Sequence, residues 1–249
     1  MSVRIVTFVA RPDLIDRLGF LDEVWPEYNK HGEVLNRYWG LLWTEFPEYQ
    51  IVLYDEQNDT VLGKGHTVPC VWDATVDGLP KGIDAVIEGG VRLREQQGQA
   101  NTLSALAAIV APTQQGSGLS RTIIEGMGML AARHGLGNLI APVRPSLKSM
   151  YPLTPIERYV RWTREDGMPL DPWLRVHHRM GADLLRVAPR SLRITGSVAE
   201  WEKWTGMAFP ESGSYIVPDA LQPVDIDREE DCGRYWEPNV WMRHRIQTD

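Results

Sequence analysis

The residues best suited to chemistry form a short turn, Gln115-Gly116-Ser117-Gly118-Leu119-Ser120. Its two glycines let the backbone approach a ligand with no Cβ in the way. If a helix starts here, its first N–H groups lack intrahelical acceptors and converge with the positive end of the helix dipole. Such a place stabilises an anion, a diphosphate above all. Two rival phosphate signatures fit poorly. A P-loop requires Gly-x-x-x-x-Gly-Lys-Ser/Thr, and no lysine lies near the turn. The dinucleotide pattern Gly-x-Gly-x-x-Gly fails because the third residue after Gly118 is Arg121. The plainer alternative is a glycine-rich link between a strand and a helix.

The flanking sequence supplies the elements that such a turn needs. Leu103-Ser-Ala-Leu-Ala-Ala-Ile-Val110 is short, mostly apolar and ended by Pro112, as expected of a buried strand. After the turn, Leu119, Ile123, Met127, Leu130 and Ala131 recur at helical spacing, and Gly135 offers a stop. Elsewhere the pattern predicts a strand over 3–9, a short helix over 12–20 and a helix over 32–46. A hairpin is expected from 49–55 and 60–68 across Gln57-Asn58-Asp59. Residues 83–96 suit a helix and 138–144 another strand.

The spacing Gln-x-x-Gly-x-small, just after a Val-x-Pro strand end, resembles the acyl-CoA signature of the GNAT acetyltransferase superfamily. That signature is Arg or Gln, two residues, Gly, one residue, then Gly or Ala; Ser120 stands in the last place. The order of strand, helices, hairpin, strand, glycine turn, helix and strand is also that superfamily's order. The likeness is most specific over residues 103–181. It implies the α/β (α+β) class, with a mixed, mostly antiparallel central sheet flanked by helices and an insertion after strand 5. It implies acetyl-CoA as co-substrate, held at Gln115, Gly116, Ser117, Gly118, Leu119 and Ser120. The fourth and fifth strands should splay to admit the pantetheine arm. A backbone N–H near Val110 would hold the thioester carbonyl.

In this chemistry an amine attacks the thioester carbonyl, a tetrahedral intermediate forms, and the departing thiolate accepts a proton. Two residues compete to supply that proton. Tyr151 closes Arg144-Pro-Ser-Leu-Lys-Ser-Met-Tyr, directly after the fifth strand. His177 lies in Asp171-Pro-Trp-Leu-Arg-Val-His-His-Arg-Met-Gly181, where Asp171 suits an N-cap, Pro172 the first helical position and Gly181 the stop. In that second register 152–170 is an insertion near the acceptor site. Packing roles remain open for both, since Tyr151 precedes Pro152 and His177 shares a face with Trp173 and Met180. No base is identifiable, and Glu125 reads as structural or solvated. His177 and His178 point about 100° apart on a helix, and His31, His66, His134 and His244 are scattered, so no metal is expected.

Composition sets the remaining bounds. A chain of 249 residues that is 43% hydrophobic can bury a large core, and we read residues 1–249 as one domain. A net charge of −7 argues against nucleic acid, and no apolar run approaches a membrane span. Cys70 and Cys232 fit buried thiols in a reducing cytoplasm rather than a disulfide scaffold. The N-terminus has too short an apolar core for a signal peptide. Strands are expected over 183–194 and 235–244. Six of the ten tryptophans lie between Trp162 and Trp241, either closing the core or walling an apolar acceptor pocket. The sequence therefore points to a cytoplasmic N-acetyltransferase acting on a small-molecule or peptide amine. Its alternatives are an acyltransferase for longer acyl thioesters and a non-catalytic CoA-binding module, in which a homodimer could keep the fold without turnover.

Overall fold

Apolar strands separated by turns and amphipathic helices build one nine-stranded sheet, whose order determines where a ligand can enter. The computed structural model describes residues 2–246. The strands are β1 (Val3–Thr7), β2 (Ile51–Asp55), β3 (Thr60–Cys70), β4 (Thr102–Val110), β5 (Asn138–Val143), β6 (Asp183–Gly196), β7 (Gly213–Tyr215), β8 (Val224–Asp227) and β9 (Cys232–Arg245). The helices are α1 (Glu33–Trp39), α2 (Leu41–Thr44), α3 (Ile83–Glu95), α4 (Leu119–Arg133), α5 (Ile156–Tyr159), α6 (Pro172–Arg179) and α7 (Val198–Thr205). Sheet order is β1-β2-β3-β4-β5-β9-β8-β7, with β6 on the other edge of β9. Every pairing is antiparallel except β4 with β5, as the mixed sheet of the expected class requires.

Each face of the sheet is covered by its own layer. On one face α4 lays Ile123, Met127 and Leu130 on Leu103 and Leu139, and α6 lays Leu174 near Ala141, Val143, Val240 and Met242. On the other face α3 lays Val86 and Ile87 against Val68, Ile140 and Trp241, while Leu14, Leu18 and Leu21 cover Val52 and Ile109. Burial of these side chains contributes roughly 1.5–3 kcal/mol each before entropy is set against it. The late tryptophans mostly belong to this core. Trp201 and Trp241 are fully buried, and Gly233 is needed beneath Trp201, whose ring would stand 2.2 Å from an added Cβ.

Two expected helices take a different form. Residues 12–24 make two 3-10 turns, Pro12–Arg17 and Gly19–Val24, instead of one helix. The expected helix over 32–46 is divided into α1 and α2 by Gly40, a residue that costs about 1 kcal/mol in a helix interior. Among the described residues no helix is long and apolar enough to cross a membrane. Position 1 and positions 247–249, included in the expected domain, lie outside the described residues.

Candidate active site

The glycine turn has the geometry that its sequence calls for. Gly116 and Gly118 adopt φ of +79° and +85°, values that favour glycine. No protein atom lies within 4 Å of where a Cβ would stand on either, so the space beside the turn is open. Gly118 is the N-cap of α4 and no side chain caps the helix. Ser117 closes the turn on itself, its N–H and hydroxyl both donating to the Gln114 carbonyl. The N–H groups of Gly116, Gly118, Leu119 and Ser120 have no acceptor among the described residues. Arg121, the nearest cation, pairs with Glu125 at 2.8 Å, so Glu125 is a surface partner as expected. Four free N–H groups at the positive end of a fifteen-residue helix make a place that suits an anion.

The sheet opens just ahead of this turn. β4 and β5 pair only through Thr102, Leu103 and Ser104 against Asn138, Leu139 and Ile140. Beyond that point the two strands part, although β4 continues to Val110 and β5 to Val143. On its other edge β4 carries a bulge: Thr67 faces Ala105 and His66 faces Ala107, which leaves Leu106 as an extra residue. A bulge takes local backbone groups out of the ladder. Val110 stays paired with Gly63 at the strand end, and the bulge rather than Val110 borders the opening.

A cavity of about 500 Å³ passes through this opening. Ala105, Leu106, Ala107 and Ala108 of β4 form one wall, and Ala141, Pro142 and Val143 of β5 the other. Its lining comes from both faces of the sheet. Ile124, Met127, Trp173, His177 and His244 lie on the α4–α6 side. On the opposite side are Asp22, Trp25, Asn29, Lys30, Asn36, Trp39, Arg144, Glu237 and Asn239. One side is thus mainly apolar and contains two imidazoles, while the other is polar and walled by tryptophans from the N-terminal third.

His177 lies where a proton could be moved, and a second histidine accompanies it. Asp171 caps α6 by accepting from the Trp173 and Leu174 N–H groups, which fixes the helix that carries His177. His177 Nδ1 is 2.9 Å from His244 Nε2, one ring donating to the other, and His177 Nε2 has no partner. Burial, with a smaller contribution from His244, pulls the His177 pKa down to about 3. Burial pulls that of His244 down to about 4. Both rings are therefore neutral near pH 7. Tyr151 is placed elsewhere. It is 37% exposed, packs edge-on against Trp162 with ring centres 5.0 Å apart, and does not line the cavity. Nor do residues 152–170, the expected insertion near the acceptor.

On the polar side Glu237 organises a network. Its Oε1 stands 3.0 Å from Arg144 Nε, and its Oε2 accepts from Asn29 at 2.9 Å and from the Tyr235 hydroxyl at 3.3 Å. Burial works against the Arg144 charge, but Glu237 together with the neighbouring Tyr28 and Tyr235 hydroxyls outweighs it and raises the Arg144 pKa. Among the described residues no group of three His, Cys, Asp or Glu could hold a metal ion.

No protein-family model matches the chain. The chain is 32% identical, over an alignment of 274 residues, to arginine N-acetyltransferase avaD of Aspergillus versicolor, covering 96% of this chain and 93% of that protein. This chain belongs to the GNAT acetyltransferase superfamily. Solved structures share the fold. The loading GNATL domain of CurA from Lyngbya majuscula superposes with a TM-score of 0.60 at 18% identity, over 100% of this chain and 98% of that one. The GphF GNAT-like decarboxylase in complex with isobutyryl-CoA gives 0.60 at 17% identity, over 99% and 100%. As a GNAT member the chain is an acyl-CoA-dependent N-acetyltransferase, with acetyl-CoA as co-substrate.

Several lining residues escaped the sequence reading. His244 joins His177 from a strand 67 residues later, a separation with no local signal. Asp22 and Trp25 lie on or beside a 3-10 turn, which lacks the helical period that would flag them. Glu237 and Asn239 sit in the expected late strand, where alternation shows a polar face but not what it meets.

Proposed function

We propose that this enzyme transfers acetyl from acetyl-CoA to a primary amine of a small molecule or peptide, with free arginine as the first acceptor to try. The single observation that carries the reading is the cavity through the parted β4 and β5, which connects two chemically different sides of one sheet. One continuous sheet supplies both sides, which supports reading the chain as one domain. Arginine is suggested by the likeness to the Aspergillus arginine N-acetyltransferase, and the polar side offers asparagines and carboxylates to such an acceptor.

When bound, acetyl-CoA supplies an activated carbonyl and a thiolate leaving group. The free N–H groups of Gly116, Gly118, Leu119 and Ser120 hold its diphosphate at the head of α4. Backbone N–H groups of β4 left unpaired where it parts from β5 beyond Ser104, beside the Leu106 bulge, polarise the carbonyl and stabilise the charge that grows on its oxygen. The acceptor enters from the polar side, and its free amine attacks the carbonyl directly through the opening. Its nucleophile is the α-amine, because a guanidinium stays protonated and has no lone pair to offer. His177, neutral and backed by His244, takes the proton that the amine sheds and passes it to the departing sulfur. It is a relay rather than a store of protons. Tyr151, wedged against Trp162, packs the segment after β5.

Incubation with isotope-labelled acetyl-CoA, followed by mass spectrometry of arginine and of a panel of amines, tests the reading. A labelled N-acetyl product with stoichiometric CoA release is expected. CoA binding without product from any amine would contradict it.

A further inference from the structure

Two carboxylates line the cavity, and they differ in what they have left to offer. Both oxygens of Glu237 are engaged, by Arg144 on one side and by Asn29 and Tyr235 on the other. Asp22 has one oxygen in use. Its Oδ1 accepts from Lys64 Nζ at 2.6 Å, while its Oδ2 makes no hydrogen bond among the described residues. The two cations that line the cavity are each neutralised, Arg144 by Glu237 and Lys30 by Glu27 at 3.1 Å.

Lys64 gives the pair its purpose. It projects from β3 into the apolar layer around Val52 and Ile109 and is only 1% exposed, whereas Asp22 is 47% exposed. Burying an ammonium is costly, and among the described residues its partner is a carboxylate at the cavity edge. A buried lysine is a poor way to add stability but an effective way to fix a carboxylate from behind. Trp25, three residues on from Asp22, and Trp39, from α1, line the same cavity with aromatic surface. A fixed carboxylate oxygen in a cavity that also presents indole rings favours a cation, through a charge-assisted hydrogen bond and the negative faces of the rings.

We propose that Asp22, fixed by Lys64 in the cavity that Trp25 and Trp39 also line, is a recognition subsite for a second cationic group of the acceptor. That group is a guanidinium or alkylammonium remote from the nitrogen that is acetylated. The inference rests on the amine-acetylation reading above and deepens it. The subsite selects by charge at the far end of the acceptor, so it acts on acceptor affinity and leaves the acetyl-CoA side untouched.

The test compares arginine with citrulline, which has the same α-amine and nearly the same shape but a neutral ureido end. Wild-type enzyme is expected to favour arginine by at least about tenfold in kcat/KM, the size of one charge-assisted hydrogen bond. Asp22→Asn should bring the two acceptors to within about threefold, through a higher KM for arginine, with KM for acetyl-CoA unchanged. That variant strands the Lys64 charge, so the double variant Asp22→Asn/Lys64→Met, which removes the charge, is measured beside it. A folded variant that still prefers arginine tenfold would overturn the subsite, as would wild-type enzyme that acetylates both equally while amine acetylation itself stands. Failure to acetylate either amine would reject arginine-type acceptors, and this subsite with them.

Discussion

His177 on α6 and His244 on β9 stand 2.9 Å apart, ring nitrogen to ring nitrogen, on the apolar side of a cavity that crosses the sheet. Few reasons exist to bury two imidazoles there except to bond each other and whatever enters. His177→Ala should lower kcat by about 10²–10⁴-fold with little change in KM for acetyl-CoA, as removal of a proton-transfer group does. Tyr151→Phe should stay within about twofold of wild type. Steady-state kinetics with a thiol-reactive reporter of CoA release decides between the two residues.

The neutral state of the buried histidines also sets how stability depends on pH. His66, His177 and His244 all have folded pKa values pulled below 6.5 by burial, to about 3, about 3 and about 4. As pH falls below about 6.5 the unfolded chain takes up protons that the folded chain refuses. The stability these groups support is complete above that pH and drains as acid approaches their folded pKa values. Each contributes a slope of up to about 1.4 kcal/mol per pH unit. Calorimetry should therefore show Tm falling steadily between pH 6.5 and pH 4.5, a range above most carboxylate titrations. A flat profile there would mean that the imidazoles are charged or solvated.

Asp171 joins three parts of the molecule. Its Oδ1 caps α6 through Trp173 and Leu174, while its Oδ2 accepts from the Leu147 N–H and the Tyr159 hydroxyl, each at 2.8 Å. Asp171→Ala should cost about 2–4 kcal/mol, the cap plus the unsatisfied partners. For a chain of this size that lowers Tm by roughly 5–15 °C. Differential scanning calorimetry checks it, and a change under 2 °C would show that the cap is dispensable.

The glycine turn invites a controlled comparison. Gly118→Ala meets no protein atom but must hold φ at +85°, and Gly206→Ala imposes the same backbone cost at +68° after α7, away from the turn. Both should lose roughly 1–2 kcal/mol of stability. Only Gly118→Ala should weaken acetyl-CoA binding, by about tenfold or more in titration calorimetry, because it also crowds the donors. Equal affinity in the two variants would detach the turn from the cofactor.

What the sequence revealed and what it hid have separate physical causes. Gly116 and Gly118 were legible because left-handed backbone at a helix start leaves few other choices, and the apolar run of β4 announces itself. Asp171, Pro172 and Gly181 marked α6 through local hydrogen bonding and a φ of +81° at the stop, and so placed His177 on a helix. The pairing with His244 depends on where β9 runs in the sheet, which no local pattern encodes. Lys64 reads as an ordinary strand residue; only the turn folded over it, with Asp22, gives its charge a destination. The tryptophans show the same limit, since Trp201 and Trp241 fill the core while Trp25 and Trp39 wall the cavity.

A crystal structure with CoA bound bears most directly on the central claim, that one opening between β4 and β5 brings thioester and acceptor together. The diphosphate should rest on the N–H groups of Gly116, Gly118, Leu119 and Ser120, with the sulfur beside Leu106 and within reach of His177. A diphosphate bound elsewhere, or a thiol arm that runs outside the opening, would contradict it.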